Sequence, residues 1–300
     1  MNQKAFWLVV LANVIYGCSF MATTVAIEAS ESSVFGILAA RFTLAFLAML
    51  LLVACRVLKV DYRNKPVYKL ICIALLYPGL YFISEAISLT QVSSAIVGVV
   101  IGIAPITTAL LTTIFFRKKQ TAWQIAFMAL SIIGVVVINA TEMSGSGLSA
   151  TAIVFLTLSL LSFSAYSIGI HSAGKQFTAA EITLFMLFAG AIMFNVLDAV
   201  FRSPFAYLKD FSDSRFLLAV LFLGLLTSGA SSLALNYGLC QLPPVTVSVL
   251  NNVTSVIAVL CGLLFLHESL TWFSGIGCIL ILLGCTGYSL SPVNTCQDRS

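Results

Sequence analysis

Two ionisable side chains stand inside otherwise apolar stretches, and they are the first candidates for chemistry. Arg41 lies in Ala39-Ala40-Arg41-Phe42 and Glu85 in Ile83-Ser84-Glu85-Ala86. A charge inside a membrane-crossing segment is costly, so each needs a partner or a task. Read as function, the two form a pair that opens when substrate or a proton arrives. Read as structure, Arg41 braces backbone carbonyls and snorkels outward, while Glu85 sits in the interface zone.

Amides and phenols surround them. Asn13 and Tyr16 lie near the middle of one apolar run, and Tyr77 and Tyr81 stand four apart, on one face of a helix. Tyr166, Asn236, Tyr237, Asn251 and Asn252 lie in later runs. Together with Arg41 and Glu85 these are the candidate substrate-binding residues. A cavity with aromatic faces and amide hydrogen bonds suits a small zwitterion, base or cation. The structural alternative for each amide or phenol is an ordinary interhelical hydrogen bond, worth about 0.6 kcal/mol. Pro78-Gly79 and Pro105 interrupt apolar runs. Each frees backbone carbonyls, which makes them candidate hinges or, equally, static kinks.

Other chemistry is poorly provided for. No nucleophile stands near a base in a catalytic pattern, so no catalytic residue is assigned and an enzyme is not expected. The eight cysteines are scattered without metal-type spacing, and no Gly-rich phosphate loop is present, so no metal and no cofactor are expected. Glu181 and Asp198 read as groups near helix ends, in the interface.

The elements that must hold these residues are membrane helices. The chain is 60% hydrophobic and 9% charged, with mean hydropathy +1.07, where soluble domains carry about 25% charge. Ten spans are expected, at about 5–26, 33–55, 68–90, 93–116, 122–140, 149–171, 181–201, 215–239, 244–266 and 271–290. Barrel strands would be half as long and alternate in polarity. Lys4, the group Arg56, Lys59, Arg63, Lys65 and Lys69, the run Arg117-Lys118-Lys119, and Lys175 all fall on one side of such a topology. The positive-inside rule then puts both termini in the cytoplasm, and the short loops suit a bacterial inner membrane. The net charge of +4 reports orientation, not nucleic-acid binding.

The chain also repeats itself. Shifted by 150, Tyr16 falls on Tyr166, Leu75-Leu76 on Leu225-Leu226, Gly79 on Gly229 and Gly134 on Gly284. Residues 4–140 and 149–290 are thus two five-helix repeats, joined by Ser144-Gly145-Ser146-Gly147. An odd helix number per repeat inverts the second copy in the membrane. Glu85 falls on Leu235, so its charge belongs to one half only.

Ala39-Ala40-Arg41-Phe42, the helix ending Phe265-Leu266-His267-Glu268-Ser269-Leu270-Thr271, and Gly275, Gly277 and Gly284 in the last span resemble the drug/metabolite transporter superfamily, in particular its ten-helix EamA-domain exporters. Lys118 stands where that family often has Glu. The resemblance implies helices 1–4 and 6–9 around a central cavity, helices 5 and 10 outside as packing or dimer elements, and alternating access. It implies export of a small metabolite such as an amino acid. Expected partners are the lipid bilayer, the substrate, protons as a candidate coupling ion, and a second copy of the chain as a candidate homodimer. A channel or receptor, or a membrane-embedded lipid-modifying enzyme, is the alternative. A channel should show charge rings or pore carbonyls, and an enzyme a polar catalytic cluster.

Overall fold

The computed structural model describes residues 2–30, 33–89, 102–116, 120–139, 150–201, 205–265 and 272–291. The run Arg117-Lys118-Lys119, the Ser144–Gly147 link and the ending His267–Thr271 lie outside the described residues. The helices are α1 (Gln3–Glu28), α2 (Val34–Ala54), α3 (Tyr68–Ala74, a kinked segment Leu75–Leu80, and Tyr81–Leu89), α4 (Ala104–Phe116), α5 (Ala122–Asn139) and α6 (Ala150–Ala173). Then follow α7 (Ala179–Phe201), a short 3-10 turn (Ala206–Ser212), α8 (Ser214–Leu221, a π-helical segment Phe222–Ser231, and Ser232–Gln241), α9 (Pro244–Asn251 and Val253–Phe265) and α10 (Trp272–Leu290).

Only helices appear among the described residues, because backbone groups in hydrocarbon must bond within their own segment. Their starts carry ordinary caps: Asn2 accepts from the Ala5 N–H and Ser33 from the Gly36 N–H. Six helices are long and apolar enough to cross a membrane, and α4, α5, α9 and α10 contain shorter apolar helices. Outward-facing side chains such as Trp272, 88% exposed, need lipid as solvent. The molecule is a multi-pass membrane protein.

Contacts between repeat-related helices show the inversion directly. On α2 and α7, Phe35 stacks on Phe201, while Phe42 and Phe46 make tilted ring contacts with Phe194 and Phe188. Advancing along α2 means retreating along α7, so two copies of one helix run antiparallel. On α5 and α10 a Cβ at Gly134 would stand 2.8 Å from Ile281, and one at Gly284 would stand 2.6 Å from Ser131. Shifting by 150 converts the first contact into the second, as a two-fold pseudo-axis requires. Asn252, between the two segments of α9, donates through Nδ2 to the carbonyl of Gly102, just before α4, at 3.4 Å, and the two positions are themselves repeat equivalents.

Asn252 Nδ2 also donates to Ser131 Oγ at 3.0 Å, and its side chain is buried. Asn252→Ala is expected to lower stability by about 1 kcal/mol. A thermal melt in detergent checks this, and an unshifted midpoint would remove the amide from the packing account.

The helices gather into two compact units that cut across the sequence repeats. One unit comprises residues up to Gly79 together with Ser172–Gln241. It holds α1, α2, the start of α3, α7 and α8. The other comprises Leu80–His171 and residues from Leu242 onward, with the rest of α3, α4, α5, α6, α9 and α10. Each unit therefore draws helices from both halves, since helices pack on their repeat counterparts. The boundary at Gly79 falls inside the α3 kink.

In the first unit the α2–α3 loop is fastened to the start of α7. Glu181 accepts from Lys65 Nζ at 2.6 Å and from the backbone N–H of Asp61 and of Thr178, both at 3.0 Å. Thr178 Oγ1 in turn accepts from the Glu181 N–H at 3.3 Å, a reciprocal capping box. The Tyr62 hydroxyl donates to the Glu181 carbonyl at 2.7 Å. Burial and then the nearby Glu181 charge push this phenol up, which keeps it a donor. Asp198, near the end of α7, is buried, with Ser33 Oγ donating to its Oδ1 at 3.0 Å.

Candidate functional site

The two helix interruptions occupy equivalent places in the repeats. In α3 the chain kinks at Leu75–Leu80, where Tyr77 is extended (φ −144°, ψ 120°) and the Tyr77–Pro78 peptide is cis. In α8 the π-helical segment runs from Phe222 to Ser231. Gly79 and Gly229 match in the repeat, and a Cβ on either would meet the carbonyl oxygen five residues earlier: Ala74 at 3.1 Å and Gly224 at 3.3 Å. A side chain there presses on the displaced carbonyl, which is why both positions suit glycine. Paired interruptions at corresponding places are the sequence-level pointer to a transporter's binding region.

The α8 interruption is rich in hydroxyls, reading Thr227-Ser228-Gly229-Ala230-Ser231-Ser232. It packs against both α1 and α2. From α2, Arg41 Nε donates to Ser228 Oγ at 2.5 Å, and its guanidinium carbon stands 5.7 Å from the Phe42 ring centre. From α1, the Tyr16 hydroxyl pairs with Ser232 Oγ at 3.0 Å. Thr227 Oγ1 and Ser231 Oγ are buried and have no hydrogen-bond partner. A membrane core thus holds a cation, a phenol and four hydroxyls on three converging helices of one unit.

Other expected site residues of this unit have contacts of their own. Asn13 is buried and donates to its own helix at the Val9 carbonyl, 2.8 Å away. Asn236 donates to Thr183 Oγ1 on α7 at 2.9 Å. Tyr77, Pro78 and Gly79 form the α3 kink, with Gly79 close to Met193 of α7. Tyr237 lines a cleft of about 630 Å³ bounded by α1, α8 and the start of α7, with Lys4 and Gln241 also in its lining. The cleft reaches Ala230, inside the hydroxyl segment. Its size falls within the ordinary range for small-molecule sites.

The second unit holds Tyr81, Glu85, Pro105, Tyr166, Asn251 and Asn252. The Tyr81 hydroxyl donates to Glu85 Oε1 at 3.2 Å, and Tyr81, Phe163 and Tyr166 form an aromatic chain with centroids 6.0 and 6.1 Å apart. Asn252 serves packing as described, and Asn251 Oδ1 is buried without a partner. Pro105 lies in the first turn of α4, after a turn at Ile103, where its missing N–H costs nothing. Thr107, Thr108, Ser164 and Ser248 make a hydroxyl chain linking α4, α6 and α9 at 2.7 to 3.1 Å.

Arg41 and Glu85 belong to different units: one is held by Ser228 and the other by Tyr81. Sequence reasoning missed the hydroxyls at 227, 228, 231 and 232. The available signal was Gly229 falling on Gly79, which marks the surrounding Ser and Thr as the second broken-helix site.

Inverted five-helix repeats, each with a broken helix at the same place, define a membrane protein of the transporter class. The chain belongs to the EamA-like transporter family, which matches residues 3–140 and again residues 150–290. It is similar to an uncharacterized transporter of Bacillus subtilis (strain 168), YcxC, at 29% identity over 297 residues, covering 97% of this chain and 94% of that protein. A solved crystal structure shares the fold over 95% of this chain and 98% of that one, with TM-score 0.79 and 18% identity. The protein is a membrane transporter.

Proposed function

We propose that the protein is a secondary transporter of the cell membrane that exports a small organic metabolite, an amino acid or related compound, by alternating access. Both termini are cytoplasmic in this reading, protons are the coupling ion, and a homodimer is the assembly. The observation that carries it is the pair of broken helices at repeat-equivalent places, α3 at Leu75–Leu80 and α8 at Phe222–Ser231. The passage of the chain from one compact unit to the other at Gly79 supports it further, since a kink at a unit boundary can absorb a change in direction. The cleft from Lys4 to Ala230 is the access route from the cytoplasmic side. The short connections between the described helices favour a gradient as energy source.

The test is counterflow in proteoliposomes. Vesicles preloaded with one unlabelled metabolite accumulate the labelled form transiently if a carrier is present. Gly79→Val and Gly229→Val press a side chain on the carbonyl five residues back, at a cost of about 1–3 kcal/mol. Falling on the conformational step, that cost slows flux about fivefold or more while the protein remains folded. Wild-type flux in both variants would remove the broken helices from the transport cycle.

A further inference from the structure

We propose that the cleft bounded by α1, α8 and the start of α7 is a site for an anionic phospholipid, its headgroup at Lys4 and one acyl chain laid along α8. All of the cleft lies within one compact unit. Lipid binding there does not depend on the transporter reading.

The cleft is apolar along its length and basic at one end. Its floor is a stripe of α8, where Ala230, Leu233, Ala234 and Tyr237 are spaced as one helix face. Small side chains at 230 and 234 hollow this face. Ala230 is exposed although it stands near the middle of the span Ser214–Gln241. From Gln241 to Ala230 the helix rises about 16 Å. The hydrocarbon core is about 30 Å thick, so the floor has the depth of one leaflet. An acyl chain entering at the Gln241 end fills it from mouth to floor.

Positive charge gathers where the headgroup would lie. Lys4 lines the cleft at the start of α1, at the same end as Gln241 and the start of α7. Lys175 stands between Gly174 and Phe177, both in the lining. Lys69 Nζ donates to Oε1 of Gln176, next to Phe177, at 3.0 Å. That partner is a neutral amide, and none of these three lysines makes an ion pair among the described residues. Glu181, one turn into α7, is taken up by Lys65. No carboxylate lines the cleft among the described residues. Thr178 Oγ1 accepts from the Glu181 N–H, which leaves its own proton to donate.

Three ammoniums above an apolar trough fit a phosphate that carries a chain, and basic pockets between membrane helices hold anionic headgroups by this chemistry. Phosphatidylcholine brings a cation of its own against the lysines and gains less. A soluble anion gains the charge and leaves the floor unfilled. In the transport reading the same cleft admits solute, so lipid and solute exclude one another there.

The experiment is native mass spectrometry of the full chain, delipidated in a non-ionic detergent and titrated with phosphatidylglycerol or phosphatidylcholine of equal chain length. One phosphatidylglycerol per chain is expected to bind, about tenfold tighter than phosphatidylcholine or more. Lys4→Gln should weaken phosphatidylglycerol about fivefold, and the triple change of Lys4, Lys69 and Lys175 to Gln should bring the two lipids to equal affinity. Lys209→Gln, at the opposite end of α8, should leave both unchanged. Ala230→Phe fills the floor and should weaken both lipids while keeping their ratio; Ala230→Leu serves the same purpose with less bulk. Circular dichroism and the melting midpoint without lipid verify folding of each variant. Equal binding of the two lipids, a preference that survives the triple change, or an equal loss in Lys209→Gln would overturn the inference. So would full binding in both Ala230 variants. Octanoate binding as tightly as phosphatidylglycerol would assign the cleft to a soluble anion and overturn the lipid. None of these results bears on counterflow, so the transporter reading stands or falls separately.

Discussion

Gly134→Leu is expected to prevent the protein from reaching a stable fold, and Gly284→Leu to do the same. A Cβ at Gly134 would lie 2.7 Å from the Gly277 carbonyl oxygen and 2.8 Å from the Ile281 backbone nitrogen. One at Gly284 would lie 2.6 Å from the Ser131 nitrogen and 2.7 Å from the Phe127 carbonyl oxygen. These neighbours are backbone atoms, so no rotamer change relieves the clash and the two helices must separate. Close approach of this kind is how membrane helices gain association without a hydrophobic drive. The loss should exceed about 3 kcal/mol, the upper end for overpacking that a core absorbs. Gly275 supplies the control, because nothing lies within 4 Å of a Cβ built there. Gly275→Ala, on the same helix, should be neutral or gain about 0.5 kcal/mol from helix propensity. The readout is the yield of monodisperse protein in detergent and its melting midpoint. Equal behaviour of the Gly275 and Gly134 variants would show that the α5–α10 seam does not limit stability.

Glu181→Ala should cost about 3 kcal/mol. The carboxylate is buried and collects three donors, from Lys65, Asp61 and Thr178. Its removal leaves the Asp61 and Thr178 N–H groups without their acceptor and separates the Lys65 ammonium from its counter-charge. Glu181→Gln keeps an acceptor and should lose roughly half as much, the difference reporting the charge. The local consequence is measurable apart from the global one. Trypsin should cut the α2–α3 loop, which carries Arg56, Lys59 and Arg63, faster in Glu181→Ala than in the native chain. An unchanged midpoint together with an unchanged cleavage rate would discount the clamp.

The helices, their number and the duplication were legible in the sequence because each depends on a local property. Apolar length marks a span, and a constant shift of 150 marks a repeat; the Gly79–Gly229 match survived even into the geometry of the carbonyl five residues back. Glu181 was legible as a helix-end group because Thr178 three residues earlier writes a capping box. What covers a helix end was not legible. Asp198 reads as a group near a helix end, and its hydrogen bond from Ser33, the cap of α2, is not written in its surroundings. The hydroxyls of Thr227, Ser228, Ser231 and Ser232 went unremarked because Ser and Thr in membrane helices ordinarily bond their own backbone, as Thr23 does to Ser19. Only the arrival of Arg41 and Tyr16 from other helices sets that segment apart. The mixed membership of the two units was equally hidden, since a repeat in sequence says nothing about which copies pack together.

That mixed membership imposes an order on biogenesis. α2 ends at Ala54, whereas α7, the helix its phenylalanine rings contact, ends at Phe201. A ribosome adding about 5–20 residues per second needs roughly 7–30 s to cover that interval. During it the first two helices reside in the bilayer with Arg41 and Tyr16 deprived of Ser228 and Ser232, which emerge later still. The nascent chain therefore passes through a stage in which a membrane-embedded arginine awaits its anchor, and at that stage an insertase or a membrane protease could distinguish an unfinished molecule from a complete one.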